Sequence, residues 1–226
     1  MRPPLRAVAM LAAVTALALG TAACGSDDDW SQPRAKPSPV GTLGPRFVDS
    51  VSPPAPESTV TPAPGSWEGV HPPKGYRVVL LSAGTDRPTR SLVDAVKTWA
   101  DEEHVKLRTV VADGAADLLP SVTRALDMHA DLIVSAGNDL VDPLVPVTAN
   151  HLSQQFLVIG AELAEPTHNV TAVDWSGASF RGEGLGMSST YDAGSFTAAR
   201  CAASVRAGVA AVLSDLTGIV IWLDEV

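Results

Sequence analysis

From Tyr76 onward, short runs of valine, isoleucine and leucine alternate with segments whose apolar residues recur at helical spacing. This alternation constrains the chain more than any other feature of it. A strand apolar at every position must be covered on both faces, and helices between strands supply the crossovers that parallel pairing needs. Val78-Val79-Leu80-Leu81 is the first such run, and it closes on the turn residues Ser82-Ala83-Gly84-Thr85-Asp86. Leu92, Val93, Val96, Trp99 and Ala100 then form one face of a helix, with Ser91 and Asp94 spaced as a capping box at its start. A second strand spans Leu107 to Val111, and Leu118, Leu119, Val122, Ala125 and Leu126 repeat the helical spacing. Leu132-Ile133-Val134 is the third strand, ending at Ser135-Ala136-Gly137-Asn138-Asp139.

Asp142-Pro143 opens another helix, with proline suitably placed in its first turn. Phe156 to Ile159 and Val170 to Val173 make strands four and five. A long alanine-rich helix from about Ser195 to Leu213 and a last strand, Ile219 to Trp222, complete the pattern. The expected fold is α/β: a Rossmann-like, mostly parallel sheet with helices on both faces, built by residues 76–226 as a single domain. One connection resists this scheme. About ten residues with Pro166 among them join strands four and five, too few for a helical crossover. Strand five is therefore expected either to run antiparallel or to sit at an edge reached by an irregular loop.

Upstream of Tyr76 the texture differs. Residues 25–75 hold 11 prolines among Ser, Gly and Thr, with the run Asp27-Asp28-Asp29 and no hydrophobic periodicity. Such composition predicts a disordered, extended tether over 24–75. Trp30 and Trp67 lie in this stretch, and Trp67 is a candidate for docking onto the domain. Residues 1–23 read as an export signal: Arg2 and Arg6, an apolar run from Ala7 to Leu19, then Gly20-Thr21-Ala22-Ala23 before Cys24. The run is too short for a stable span. Small residues directly before a cysteine resemble the lipobox of bacterial lipoproteins, which implies an acylated Cys24 and anchorage at the extracytoplasmic face of the cell membrane. Thr21 stands where that pattern usually has Leu. Acylation of Cys24 would leave Cys201, on the apolar stripe of the last helix, without a partner in the chain, so it is expected as a buried core thiol. The net charge of −9 becomes −11 once residues 1–23 are removed, which disfavours nucleic acid as a partner.

The segments Asp131-Leu-Ile-Val-Ser-Ala-Gly137, Gln155-Phe-Leu-Val-Ile-Gly-Ala161 and Asn169-Val-Thr-Ala-Val173 resemble the first lobe of the basic membrane lipoprotein family. The resemblance covers roughly residues 76–205. It implies a type I periplasmic-binding-protein fold, a role as substrate receptor of an ABC importer, and a nucleoside or similar small polar solute as ligand. Family receptors have two lobes that close on their ligand, whereas this chain shows one lobe plus a helix and a strand. Residues 176–194, rich in glycine, fall where the family chain crosses to its second lobe and are expected to form a loop instead.

Ligands of open parallel sheets bind at the carboxyl ends of strands where strand order reverses. For the order 2-1-3-4-5 that point brings Ser82, Gly84, Thr85 and Asp86 beside Gly137, Asn138 and Asp139. Glu162, Asp174 and Trp175 end strands four and five on the same edge, and Trp175 could stack on a ring or cover the core. The same residue types are also ordinary turn and cap chemistry. Arg87, Arg90 and Arg181 could pair with an anion or with these carboxylates. No nucleophile elbow, phosphate-binding loop or paired histidines occur, so no enzyme, cofactor or metal is expected. Asn169-Val170-Thr171 is a glycosylation sequon, of little weight in a chain with a bacterial export signal. Two functions remain: a surface module that binds a small polar solute, with an ABC permease as possible partner, or a non-transport module that docks a protein or dimerises.

Overall fold

The structure is a computed structural model that describes residues 30–31, 34–49, 51–187 and 189–226. The export signal and Cys24 lie outside the described residues. In chain order the elements are β1 (Val40–Gly41), β2 (Thr59–Val60), β3 (Val70–His71), β4 (Arg77–Ala83), α1 (Arg87–Glu102), β5 (Lys106–Ala112), α2 (Leu118–Leu126), β6 (Leu132–Ala136), α3 (Val141–Asn150), β7 (Phe156–Ile159), β8 (Val170–Asp174), α4 (Ala198–Leu213) and β9 (Val220–Trp222).

Seven strands form one sheet in the order β2-β9-β8-β7-β6-β4-β5, and every neighbouring pair is parallel. The alternation of side chains along β4 shows how two faces are buried at once. Val78 and Leu80 enter one apolar cluster, with Leu92, Val96 and Trp99 of α1 and Cys201 and Val205 of α4. Val79 and Leu81 enter the other, with Val122 and Ala125 of α2 and Val141 and Leu144 of α3. Helix α4 lies very close to the sheet: a Cβ on Gly208 would sit 2.5 Å from Leu157 and 2.9 Å from Val173. A glycine in this helix interior is thus a packing requirement, despite its cost in helix propensity. Cys201 is buried, as its place on the apolar stripe predicts, and burial pushes its thiol pKa up to about 11.

Strand five of the sequence reading, β8, is neither antiparallel nor at an edge. It runs parallel to β7 and is flanked by β9 on its other side. An irregular loop makes the crossover without a helix. It turns back at once through a bridge between Ala161 and Val173, and it is held at its far end by Asn169. The Asn169 amide donates to the carbonyls of Thr148, His151 and Gln154, tying β8 to the end of α3. The sequon asparagine is buried structural material.

The proline-rich stretch also departs from its expectation. Trp30, Phe47, Trp67 and Val70 are buried in the domain's two clusters. Arg34 pairs with Asp131 and donates to the Gly75 carbonyl, and Lys36 pairs with Asp215. These contacts lay the chain along the amino ends of β4, β6 and β9. It then adds β2 outside β9, covering an edge that would otherwise expose unpaired backbone groups. A two-residue ladder of β1 with β3 and the burial of Phe47 and Trp67 close the arrangement. What composition marks as a tether is, from Trp30 on, a belt around the domain. Its apolar anchors are too widely spaced to show periodicity, yet each finds a place in a core that the sheet has already built.

Candidate functional site

Two loops form the site: residues 84–86 after β4, and 137–140 after β6. Gly84 turns with φ +76°, a conformation open to glycine at little cost, and a Cβ there would lie 2.8 Å from the Asp139 carboxylate. The carboxylates of Asp86 and Asp139 therefore converge on the bare backbone of Gly84. Helix α1 starts here, and not at the Ser91 capping box, because Asp86 is its N-cap. The Asp86 carboxylate accepts from the Thr89 amide at 3.0 Å and from the Thr89 hydroxyl at 2.7 Å. Ser91 sits within the first turns, its hydroxyl on the Arg87 carbonyl.

Between these loops lies a cleft of about 150 Å³, lined by Asp86, Thr89, Gly137, Asn138, Asp139 and Tyr191, with Pro88 and Phe196 as its apolar surfaces. The Asn138 side-chain oxygen is buried with no hydrogen-bond partner among the described residues. Burial, and then the neighbouring charge of Asp86, raise the Asp139 carboxyl above its ordinary range. Asp86 moves the opposite way: burial works against it, but the two hydrogen bonds from Thr89 prevail and hold it lower. The Tyr191 hydroxyl is pushed up by burial and by the charges of Asp86, Asp139 and Asp192. The cleft is thus rich in acceptors and negative in potential. A ligand that donates hydrogen bonds, through hydroxyl or amino groups, matches it chemically.

Of the ten positions expected at this edge, Asp86, Gly137, Asn138 and Asp139 line one cleft, with Gly84 beneath the two carboxylates. Ser82 is inside β4, paired between strands and buried. Thr85 is exposed beside the cleft, and its carbonyl accepts from Arg90. Glu162 belongs to a separate depression of about 240 Å³, next to β9 and β2, where it pairs with Arg181 at 2.9 Å. Burial raises the Glu162 carboxyl, and Arg181 offsets part of that rise.

Asp174 and Trp175 are structural. Trp175 is wholly buried, its indole N–H donates to the Ser195 hydroxyl at 2.9 Å, and it meets Phe196 edge-on at 5.0 Å. Stacking on a ligand is excluded for a ring with no exposed face. One Asp174 oxygen accepts from the amides of Trp175 and Ser179, both at 2.8 Å, and the other is buried without a partner. Burial pushes this carboxyl up to about 7.

Four lining residues fall outside the sequence expectation: Pro88, Thr89, Tyr191 and Phe196. Thr89 follows from recognising Asp86-Arg-Pro-Thr89 as a helix start, since Pro88 falls in the first turn. Tyr191 and Phe196 arrive on the 176–194 crossing and the turn after it, which no periodicity locates. That crossing is pinned across the carboxyl edge. The Gly177 amide donates to the Ser189 hydroxyl, the Asp192 amide to the Gly177 carbonyl, and the Glu183 amide to Asp142.

No family model matches this chain. Among solved structures, an ABC transporter solute-binding protein from Aeropyrum pernix K1 is similar at 20% identity and a TM-score of 0.40, over 45% of this chain and 29% of that one. A fragment described as a lipoprotein from Peptoclostridium difficile 630 is similar at 17% identity and 0.44, over 61% of this chain and 98% of the fragment. An ABC transporter solute-binding protein from Conexibacter woesei DSM 14684 follows at 15% and 0.36, over 44% of this chain and 35% of that one. The match therefore spans about a third of the length of either solute-binding protein.

Proposed function

We propose that this chain is an extracytoplasmic module, lipid-anchored at Cys24 and akin to one lobe of the basic membrane lipoproteins, that binds a small polar solute in the cleft between the β4 and β6 loops. The observation that carries the reading is the cleft that Asp86, Asn138 and Asp139 line together, with the Asn138 oxygen unsatisfied, at the switch point of a parallel sheet. A buried acceptor without a partner costs on the order of 1–3 kcal/mol, and a ligand hydroxyl or amino group would recover part of that. The volume equals that of roughly five waters, so it admits one small polar fragment such as a sugar ring edge and leaves the rest of a ligand outside. In this reading an ABC permease is the partner that would take the solute onward.

Thermal unfolding of the purified chain with nucleosides, pentoses and hexoses tests the reading, because a ligand that binds only the folded state raises Tm. A rise with one of these, abolished in Asn138→Ala and weakened in Asp139→Asn, is the expected outcome. Asp86 is the poorer probe, since its loss also removes a helix cap. No rise with any compound would turn the reading towards a module that docks a protein.

A further inference from the structure

The belt decides how the domain would be held at a membrane. Trp30 is buried, with the Arg108 guanidinium 4.2 Å from its ring centre, and Arg34 grips Asp131 and the Gly75 carbonyl. Gly75 and Asp131 precede β4 and β6, so both lie at the amino ends of the strands. The cleft lies at the carboxyl ends, the full length of the sheet away. Only residues 25–29 separate Trp30 from Cys24. Even fully extended, six steps of chain reach about 20 Å, whereas a flexible 50-residue tether would average about 40 Å and leave the domain free to turn.

We infer that the face formed by the amino ends of the strands docks against a lipid surface, with the cleft facing away from the membrane. This rests on the anchoring at Cys24 proposed above. The face carries both signs of charge, Lys74 and Lys106 beside Glu102 and Glu103, so orientation follows from the short reach of the chain and not from attraction to anionic lipid. The consequence for the module is direct: its solute arrives from the far side, and a membrane partner must reach around the domain to receive it.

The test uses the full lipidated chain in phosphatidylcholine vesicles bearing an acceptor-labelled lipid. Lys74→Cys and Thr85→Cys, each carrying a donor dye, mark the two ends of β4, which are about 23 Å apart at 3.3 Å per residue. Both positions are exposed. Cys201 stays unlabelled, being buried with a thiol that resists ionisation. The expected result is energy transfer several-fold stronger from position 74 than from position 85, unchanged by salt. The difference should shrink when Trp30→Ala and Arg34→Ala release the belt. Vesicle-bound protein with equal or reversed transfer overturns the orientation alone. Protein that fails to float with the vesicles overturns the anchoring and the orientation with it.

Discussion

The belt and the sheet bury comparable aromatic residues by opposite routes. In the sheet, burial is periodic: Val78 to Leu81 point alternately to two faces, and each face already has its helices. In the belt, burial is punctate. Trp30, Phe47 and Trp67 are single anchors separated by proline-rich chain, and the strands between them, β1 and β2, have two residues each. Regular structure makes its own hydrogen bonds and needs a continuous apolar pattern to bury it. An irregular strap needs only occasional large side chains and a surface prepared to receive them. Proline content alone does not separate such a strap from a disordered linker, because the difference lies in the surface it meets.

The largest effect that could break this comparison is expected at Trp67. If the belt belongs to the folding unit, Trp67→Ala should cost about 3–5 kcal/mol in urea unfolding, similar to truncating a core aromatic residue of the sheet. A loss within experimental error would make the belt an adhering tether after all.

The periodic half is the part legible in the sequence. Continuous apolar runs identify β4, β6, β7 and β8, and the order 2-1-3-4-5 appears in the sheet with β9 and β2 added beyond it. The start of α1 is missed because its cap precedes the first apolar residue of the stripe, Leu92. The place of β8 is missed because ten residues suffice for a crossover when Asn169 and the Ala161 bridge steer the loop. In the site, Asp86, Gly137, Asn138 and Asp139 come together because topology alone dictates it. Tyr191 and Phe196 join them through an irregular segment whose path rests on long-range bonds such as that between Glu183 and Asp142.

A middle-sized effect separates buried carboxyls from bound ones. The Asp174 carboxyl is raised from its ordinary 3.8 to about 7 by burial, so the native state keeps a proton that the unfolded chain releases between those values. Stability should therefore be highest below about pH 4 from this group's contribution and fall as pH rises to 7, by at most about 1.4 kcal/mol per pH unit. Asp174→Asn, measured by denaturation at pH 5 and pH 8, should flatten that slope and gain relative to the parent at the higher pH. A steeper slope in the variant would show that the carboxyl is not the group holding the proton.

The smallest effect belongs to the belt's outer pair. Lys36 and Asp215 are both solvent-exposed, and Lys36→Ala should change stability by no more than about 0.5 kcal/mol, vanishing in high salt. A large loss there would mean that charge, and not the buried tryptophans, holds the belt in place.

The pairing of β2 with β9 also sets a sequence of events in time. Thr59 meets Val220 and Val60 meets Ile221, so β2 needs a partner about 160 residues further along the chain. Contacts so distant along the chain close slowly, and until they close the outer edge of β9 offers open backbone groups to any neighbouring strand. The vulnerable period of this protein is thus the interval between completion of β9 and arrival of β2.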